Sequence, residues 1–292
     1  MSKHIPVLLN EVIEALNIQP GGSFVDGTLG CAGHSKAILE KAGPEGCLIG
    51  IDRDKEILEF AKESLQEQEG SSVCVWGNYK DMKKILENEK TNQVDGILLD
   101  LGVSSFQIDT RERGFSFMQD AELDMRMNPN EGESVQDLLH RISEKELADI
   151  LYEYADERRS RRIAKLIVEK RKKKAITRTS ELAELAIKAY GRRGKSHPAT
   201  RTFQALRIAV NNELENLHTF FQNSLSCLKP KGRLCIISYH SLEDRAVKLQ
   251  FREWAKEKSC ELITKKPIVP NISEVKVNNR SRSAKMRICE KL

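Results

Sequence analysis

Three glycines at three-residue spacing, with an acid before the first, form the part of the sequence best suited to chemistry. The stretch 24–35 reads FVDGTLGCAGHS, and Asp26 precedes Gly27, Gly30 and Gly33. An apolar lead-in, a glycine turn and an apolar-periodic run predict a strand, a tight loop and a helix start. Glycine adopts positive φ without strain and lets a ligand approach the backbone, and the N–H groups at a helix start add positive potential. This loop is predicted to hold a small ligand; a glycine turn needed only for packing is the alternative.

The spacing of these glycines indicates which kind of ligand. Dinucleotide-binding loops follow G-x-G-x-x-G, whereas this loop is G-x-x-G-x-x-G, with Leu29 where the second glycine would be required. A second acid, Asp52, ends the next apolar run at 47–51, where a carboxylate can accept hydrogen bonds from ribose hydroxyls. An acidic loop without a P-loop lysine suits a nucleoside that carries no phosphate. S-adenosylmethionine is the common cofactor of this kind, and an NAD-dependent oxidoreductase is disfavoured.

Alternating helices and strands are needed to position these residues. Apolar patterns predict four strands that end at Asp26, Asp52, Trp76 and Leu101. The run VDGILLDL at 94–101 is largely apolar, as a strand buried on both faces should be. This β–α alternation predicts a parallel, doubly wound sheet, in which ligands bind at the carboxyl ends of the strands. The polar residues predicted at those ends are Asp26, Asp52, Tyr79 and Asp100.

The alternation stops after the fourth strand. Polar sequence follows as far as about Met127, and no strand pattern occurs between Glu131 and Ala199. Helical periodicity is found over 134–154, 158–171, 180–190 and 201–225. The segment RLCIISYHS at 233–241 then resumes the sheet, and 278–291 is a short basic end. We predict a discontinuous sheet domain, 1–105 and 201–292, interrupted by an all-helical domain, 106–200.

Positive charge is concentrated in the predicted helical domain. Only one acid, Glu169, lies between Arg158 and Arg178, and a glycine-rich basic loop follows at 191–195. Charge this concentrated usually marks a polyanion partner, most often nucleic acid, although a solvated helix face is the alternative. The eleven basic residues are Arg158, Arg159, Arg161, Arg162, Lys165, Lys170, Arg171, Lys172, Lys173, Lys174 and Arg178.

Composition sets broader bounds on the class of protein. The 292 residues can bury a sizeable core, and the formal charge of +5 is mildly basic. The seven cysteines are scattered without a C-x-x-C pair, which argues against a disulfide framework and a zinc site and favours a reducing compartment. No signal region or membrane-spanning run is recognisable. We expect a soluble, cytoplasmic protein with no metal and no membrane partner; a homodimer stays open.

Several strings, in order from end to end, resemble one family. They are HIPVLLNEV, VDGTLGCAGHS, DLGVSSFQID, RGFSF, LDMRMN, HPATRTFQALRIAVNNEL, ISYHSLEDR and SRSAKMR. The chain is similar to the bacterial 16S ribosomal RNA (cytosine-N4) methyltransferases, the RsmH or MraW family. The resemblance implies S-adenosylmethionine-dependent methylation of the exocyclic amine of a cytidine in the decoding centre of the small ribosomal subunit. It also implies an α/β fold of the Rossmann-like class I methyltransferase type with an inserted all-helical subdomain.

The resemblance also implies a set of site residues. Asp52 would bind the ribose, Tyr79 would pack on the adenine, and Asp100 would lie near the methionine moiety. Asp100 is also the first candidate to orient the amine, because no N/D-P-P-Y/F loop follows its strand; a role toward the cofactor alone is the alternative. The expected cofactor contacts are Ala32, Gly33, His34, Asp52, Tyr79, Asp100 and Gln107. The chain departs from the family pattern at Ala32 (often Gly), Tyr79 (often Phe) and Asn128 (often Asp).

Other residues have two interpretations. Tyr239 and His240 could contact the target base, or His240 could instead cap the following turn. His34 has a similar alternative, as a helix-start residue bonded to a carbonyl. Phe115 and Phe117 are expected to pack rather than to stack on a base. At the level of function, the alternatives are a non-catalytic RNA-binding protein and a methyltransferase for another RNA or a protein; intact Gly33, Asp52 and Asp100 disfavour the first.

Overall fold

The computed structural model describes residues 5–191 and 197–292 and divides the chain into two compact units. The sheet unit comprises Met1–Gly102 and Leu214–Leu292, and the helical unit comprises Val103–Glu213. The second boundary therefore lies 13 residues beyond the predicted one at 200/201. The segment after residue 200 groups with the helical unit because Phe203 and Leu206 are buried in the core of that unit.

A seven-stranded sheet forms the centre of the sheet unit, in the order β3-β2-β1-β4-β5-β7-β6. The first five strands pair in parallel, and β7 is antiparallel to both of its neighbours. The strands are β1 Ser23–Asp26, β2 Cys47–Asp52, β3 Ser71–Trp76, β4 Val94–Asp100, β5 Leu228–Ser238, β6 Cys260–Leu262 and β7 Lys285–Lys291. This is the predicted mostly parallel, doubly wound sheet, completed by two strands at its end.

Helices cover both faces of this sheet. Successive residues of β1 point to opposite faces, so Phe24 enters one apolar core and Val25 the other. The helices of this unit are α1 Leu9–Ala15, α2 Gly33–Ala42, α3 Lys55–Leu65, α4 Met82–Asn88, α11 Glu213–Ser224, α12 Ser241–Lys256 and α13 Ile272–Val277. The basic end predicted over 278–291 contributes β7, whose residues Met286 and Ile288 are buried in one of the cores.

The helical unit contains six α-helices among its described residues and has its own apolar core. They are α5 Ser105–Asp109, α6 Val135–Arg141, α7 Glu144–Ala155, α8 Ser160–Arg171, α9 Thr179–Tyr190 and α10 Ala199–Asn211. The single helix predicted over 134–154 is wrong: α6 ends at Arg141, and Ser143 begins α7 through a capping box with Glu146. The helix predicted over 201–225 is also divided, because Asn212 adopts a left-handed conformation and ends α10.

Candidate active site

Three acids and a tyrosine meet at one edge of the sheet unit. Strand β1 lies between β2 and β4, and β4 pairs with β5, so the carboxyl ends of these four strands are adjacent. Asp26, Asp52 and Asp100 are the last residues of β1, β2 and β4, and Tyr239 follows the last residue of β5. The structure thus brings together residues that are far apart in the chain.

The glycines of the loop after β1 serve different purposes. Gly30 has φ of +51°, a conformation that favours glycine. Gly33 begins α2, and a Cβ there would lie 2.5 Å from Cγ of Pro6. At Gly27 a Cβ would overlap the side chain of Leu99. Tight packing alone therefore accounts for two of the three glycines, as the alternative interpretation proposed, whereas Gly30 is required by the backbone of the turn.

The residue Ala32, often glycine in the family, is the left-handed N-cap of α2. Its φ of 60° and ψ of 25° cost a non-glycine residue roughly 1–2 kcal/mol. Its side chain is fully buried in an apolar core. A glycine would adopt this conformation without that cost, and burial of the Ala32 methyl group offsets part of it.

The loop is tied to the sheet by Asp26, which is only 1% exposed. Its carboxylate accepts hydrogen bonds from the Thr28 backbone N–H at 3.1 Å and from the Ser35 hydroxyl at 2.7 Å. Burial nevertheless raises the pKa of Asp26, with the hydrogen bonds opposing this effect. Thr28 in turn accepts a 2.6 Å hydrogen bond from the backbone N–H of Asp100. Asp26 therefore fixes the loop between β1 and α2, and that loop is hydrogen-bonded to the end of β4 through Thr28.

The carboxylate of Asp52 shapes the same loop from the neighbouring strand. It accepts the backbone N–H of Gly30 at 2.8 Å through Oδ2 and that of Asp54 at 2.9 Å through Oδ1. Each carboxylate oxygen has a second lone pair that can accept from a ligand hydroxyl. Burial raises the pKa of Asp52 to about 6, although both hydrogen bonds favour the ionised form.

The carboxylate of Asp100 lies between two side chains from other elements. Its Oδ1 accepts the hydroxyl of Tyr239 at 2.7 Å, and its Oδ2 lies 3.9 Å from Nδ1 of His34. The Asp100 side chain is 22% exposed, so it remains accessible to a ligand. Burial is the main cause that raises the pKa of Asp100 to about 6, and His34 and Tyr239 oppose the rise.

Two further predicted residues lie in the sheet unit. Nε2 of His34 is 2.9 Å from the carbonyl oxygen of Val7, which is the helix-start contact offered above as the alternative for this histidine. Tyr79 opens a short 3₁₀ turn after β3, and its ring packs edge-on against Phe220, with centroids 5.8 Å apart. Its Cβ would lie 3.1 Å from a Cβ at Gly27, so Tyr79 stands beside the glycine loop.

The segment after β5 distinguishes the interpretations of Tyr239 and His240. The Tyr239 hydroxyl donates a hydrogen bond to the Asp100 carboxylate, a contact that the sequence did not reveal. His240 is the N-cap of α12, where its Nδ1 accepts the backbone N–H of Glu243 at 3.4 Å and its Nε2 lies 3.1 Å from a Glu243 carboxylate oxygen. His240 therefore has the capping role that was the alternative to base contact.

Gln107, the remaining predicted cofactor contact, belongs to the helical unit. It is 4% exposed and forms a capping box at the start of α5. The side-chain oxygen of Gln107 accepts the backbone N–H of Ser104 at 3.1 Å, and the backbone N–H of Gln107 donates to the Ser104 hydroxyl. This arrangement fixes the side chain locally.

The basic segment of the helical unit runs through α8 and the residues after it. Ile163 and Ile167 of α8 are buried, whereas Lys172, Lys173 and Lys174 are exposed. Arg171 donates from Nη1 to the Leu139 carbonyl and lines a cavity of about 320 Å³. Of the basic loop predicted over 191–195, residues 192–195 lie outside the described residues. The described part thus presents its positive charge to solvent beside a cavity.

The remaining predicted residues have structural partners. Phe117 stacks on His197 with ring centroids 4.4 Å apart and meets Phe203 edge-on, and Phe115 packs against the same core. Asn128 is buried and accepts the backbone N–H of Asn130 at 3.1 Å. All seven cysteines are free thiols. Within 5–191 and 197–292, every helix is too short or too polar to cross a bilayer.

The sheet order, its single antiparallel strand and the acids at the ends of β1, β2 and β4 define the class I methyltransferase fold. A family model described as the MraW methylase family matches residues 1–292, and the chain belongs to this family. The resemblance drawn from the sequence is confirmed, and with it the methyltransferase activity and the cofactor S-adenosylmethionine.

Full-length relatives accompany this match. The chain is 48% identical over 309 residues to the ribosomal RNA small subunit methyltransferase H of Syntrophus aciditrophicus (strain SB), covering 100% of this chain and 98% of that protein. It is 47% identical to the protein of the same name from Clostridium botulinum (strain Kyoto / Type A2), covering 99% of each. Among solved structures, Aeropyrum pernix fibrillarin with natively bound S-adenosyl-L-methionine aligns with a TM-score of 0.43 at 8% identity, over 96% of this chain and 74% of that one.

Proposed function

We propose that this protein methylates the exocyclic N4 amine of a cytidine in the decoding centre of 16S ribosomal RNA, acting in the cytoplasm. The observation that carries the proposal is the full-length match, at 47–48% identity, to relatives named ribosomal RNA small subunit methyltransferase H. The acid Asp100 at the end of β4, on the sheet edge where ligands bind in doubly wound folds, supports it.

The residues at the sheet edge fit the cofactor. S-adenosylmethionine supplies a methyl group on a positively charged sulfur. In this proposal Asp52 accepts the ribose hydroxyls through its second lone pairs, Tyr79 packs on the adenine, and Asp100 faces the methionine part. The loop residues 32–34 lie beside these acids and are proposed to contact the cofactor through the start of α2. Three buried or half-buried acids suit a ligand that carries both a sulfonium and an ammonium group.

The second role proposed for Asp100 is toward the substrate amine. The amine lone pair is delocalised into the cytosine ring, so the nitrogen must be desolvated, oriented and relieved of a proton. A carboxylate with a pKa of about 6 is ionised at neutral pH and can accept that proton. We propose that Asp100 orients the amine and takes its proton.

The affinity for S-adenosylmethionine is expected to rise with pH below about pH 6. Asp52 and Asp100 both have pKa values raised to about 6, and a cationic ligand favours their ionised forms. Proton release on binding then strengthens affinity by up to about tenfold per pH unit for each acid that must ionise, with a plateau at higher pH. Calorimetry between about pH 5 and 8 would measure this dependence.

The matched ligand for this experiment is S-adenosylhomocysteine, which lacks the sulfonium charge. Its affinity should change less with pH than that of the methyl donor. The contribution of Asp52 should be shared, because both ligands carry the ribose. If the two ligands show the same profile, Asp100 does not face the sulfonium, and if neither affinity changes below pH 6, neither acid ionises on binding.

The helical unit is proposed to bind the RNA. Lys172, Lys173 and Lys174 are exposed, and Nζ of Lys174 lies 3.4 Å from a carboxylate oxygen of Glu181. Changing the three lysines to Glu is expected to weaken RNA binding and to reduce the slope of log affinity against log salt by about 2, since each phosphate contact to a single strand contributes roughly 0.7. Filter binding at several salt concentrations measures both quantities.

A matched control is available in the sheet unit. Lys83, Lys84 and Lys90 are also exposed, and changing them to Glu alters the net charge by the same amount. RNA binding should respond to the first triple variant and much less to the second, while both bind S-adenosylmethionine normally. If the two variants weaken RNA binding equally, the basic segment attracts RNA only through the net charge of the protein and is not a specific binding surface.

The direct test of the proposed function is product analysis. The protein is incubated with S-adenosylmethionine carrying a deuterated methyl group and with either free 16S ribosomal RNA or assembled small subunits. Mass spectrometry of the digested nucleosides should show labelled N4-methylcytidine, and ribosomal RNA from a strain lacking the protein should lose it. A label found only in another nucleoside, another RNA or a ribosomal protein would assign a different substrate.

A further inference from the structure

Tyr239 is held firmly beside Asp100. Its backbone N–H donates to a carboxylate oxygen of Glu243 at 2.9 Å, and its ring packs against one apolar core of the sheet unit. The ring also adjoins Gly102, where a Cβ would lie 3.6 Å from Cδ2 of the tyrosine. Burial and the neighbouring Asp100 raise the pKa of Tyr239 well above its usual value, so its hydroxyl keeps its proton. The tyrosine is therefore a fixed hydrogen-bond donor at neutral pH.

This donor occupies only one of the two oxygens of Asp100. The 2.7 Å hydrogen bond is made to Oδ1. On the other side, the Val7 carbonyl can only accept, so the 2.9 Å contact requires the proton of His34 to be on Nε2. This orientation turns Nδ1 toward Oδ2 of Asp100, at 3.9 Å. Among the described residues of the sheet unit, 5–102 and 214–292, Oδ2 thus has no donor within hydrogen-bond distance, and the Asp100 side chain is 22% exposed.

We propose that Tyr239 is a positioning residue: it fixes the carboxylate of Asp100 through Oδ1 so that Oδ2 faces the substrate amine and accepts its proton. This inference rests on the proposed function. The nitrogen lone pair forms the bond to the methyl carbon while the carbon–sulfur bond breaks and its electron pair stays on sulfur. The N–H proton goes to Oδ2, so the sulfonium and carboxylate charges are both neutralised.

The groups around Asp100 also determine how readily its carboxyl group ionises. Two neighbours favour the ionised carboxylate, namely the charge that His34 carries when both of its ring nitrogens are protonated and the Tyr239 hydrogen bond. Two acids, Asp26 and Glu243, oppose it, as does burial, which is the largest effect. Loss of the Tyr239 hydroxyl therefore removes one of the two influences that keep Asp100 ionised in the free protein.

The test is the pH profile of Tyr239→Phe at saturating S-adenosylmethionine. We expect kcat at pH 7 to fall roughly 10- to 100-fold, the cost of a mispositioned catalytic group. The acidic limb of the profile should move to higher pH, because the lost hydrogen bond favoured the carboxylate. S-adenosylmethionine affinity and thermal stability, measured on the same samples, show that the variant is folded. Ser226→Ala removes an exposed hydroxyl of the sheet unit, which donates to the Asn223 carbonyl; it is the control for the loss of a hydroxyl and should behave as wild type.

A double-mutant cycle with Asp100→Asn provides the second measurement. If Tyr239 acts through Asp100, adding Tyr239→Phe to Asp100→Asn should cause little further loss. Additive losses of kcat in the double variant would overturn the positioning role. So would a Tyr239→Phe profile in which kcat is lower but the acidic limb stays at the wild-type pH. If the wild type does not methylate ribosomal RNA, the proposed function fails instead; if it does and Tyr239→Phe matches it at every pH, only this inference fails.

Discussion

Asp100→Asn is expected to lower kcat for RNA methylation by roughly 10²–10⁴-fold, the usual contribution of a general base. The amide keeps an oxygen that can accept the Tyr239 hydroxyl, so the local packing is preserved. It cannot take a proton from the substrate amine. Single-turnover kinetics at saturating S-adenosylmethionine isolate the chemical step from cofactor binding.

The same variant separates the two roles considered for Asp100. A residue that acts on the amine loses kcat with little change in cofactor affinity, which calorimetry measures directly. If cofactor affinity falls and kcat recovers when the cofactor is made saturating, Asp100 serves the cofactor alone. That outcome would leave the identity of the cofactor unaffected and would require another proton acceptor.

Asp52→Ala is expected to weaken S-adenosylmethionine binding by roughly 10- to 100-fold, because each hydrogen bond to a charged group contributes about 1.5–3 kcal/mol. The substitution also removes the acceptor for the Gly30 and Asp54 backbone N–H groups, so the glycine loop is no longer hydrogen-bonded to the end of β2. A stability loss of about 1–3 kcal/mol should accompany the loss of affinity. Calorimetry and urea denaturation measure the two effects on one sample.

Asp95→Ala is the control for the part of this effect that is merely structural. Asp95 lies near the start of β4, at the opposite end of the strand from Asp100, where it accepts the Ser23 N–H at 2.8 Å and pairs with Lys229. Its removal should destabilise the sheet unit without a specific loss of cofactor affinity. Equal losses of affinity in both variants would mean that Asp52 acts only through the fold.

The placement of the acids could be predicted because it depends on local pattern and a general rule. Asp26, Asp52 and Asp100 each end an apolar run, and parallel strands bring their ends to one edge. The glycine loop was equally local. The reasons why the loop needs glycine are not all local. Gly33 is required by the contact with Pro6, 27 positions earlier, which no spacing rule reveals.

The errors have physical causes of the same kind. The break between α6 and α7 was overlooked although Ser143 and Glu146 have capping-box spacing, because the apolar periodicity continues across it. The left-handed Asn212 gives a weaker signal. The hydrogen bond between Tyr239 and Asp100 joins residues 139 positions apart and could be found only in the folded chain.

The contacts of Pro6 and Val7 have a consequence for the start of the protein. Pro6 covers Gly33, and the Val7 carbonyl holds the imidazole that faces Asp100. Leu8 is in turn secured by Glu274, near the other end of the chain, through a 2.9 Å hydrogen bond. Residues 6–8 thus support the start of α2, so deleting them, or pulling on them through a fused partner, is expected to displace Gly33 and His34 and to lower methyl transfer.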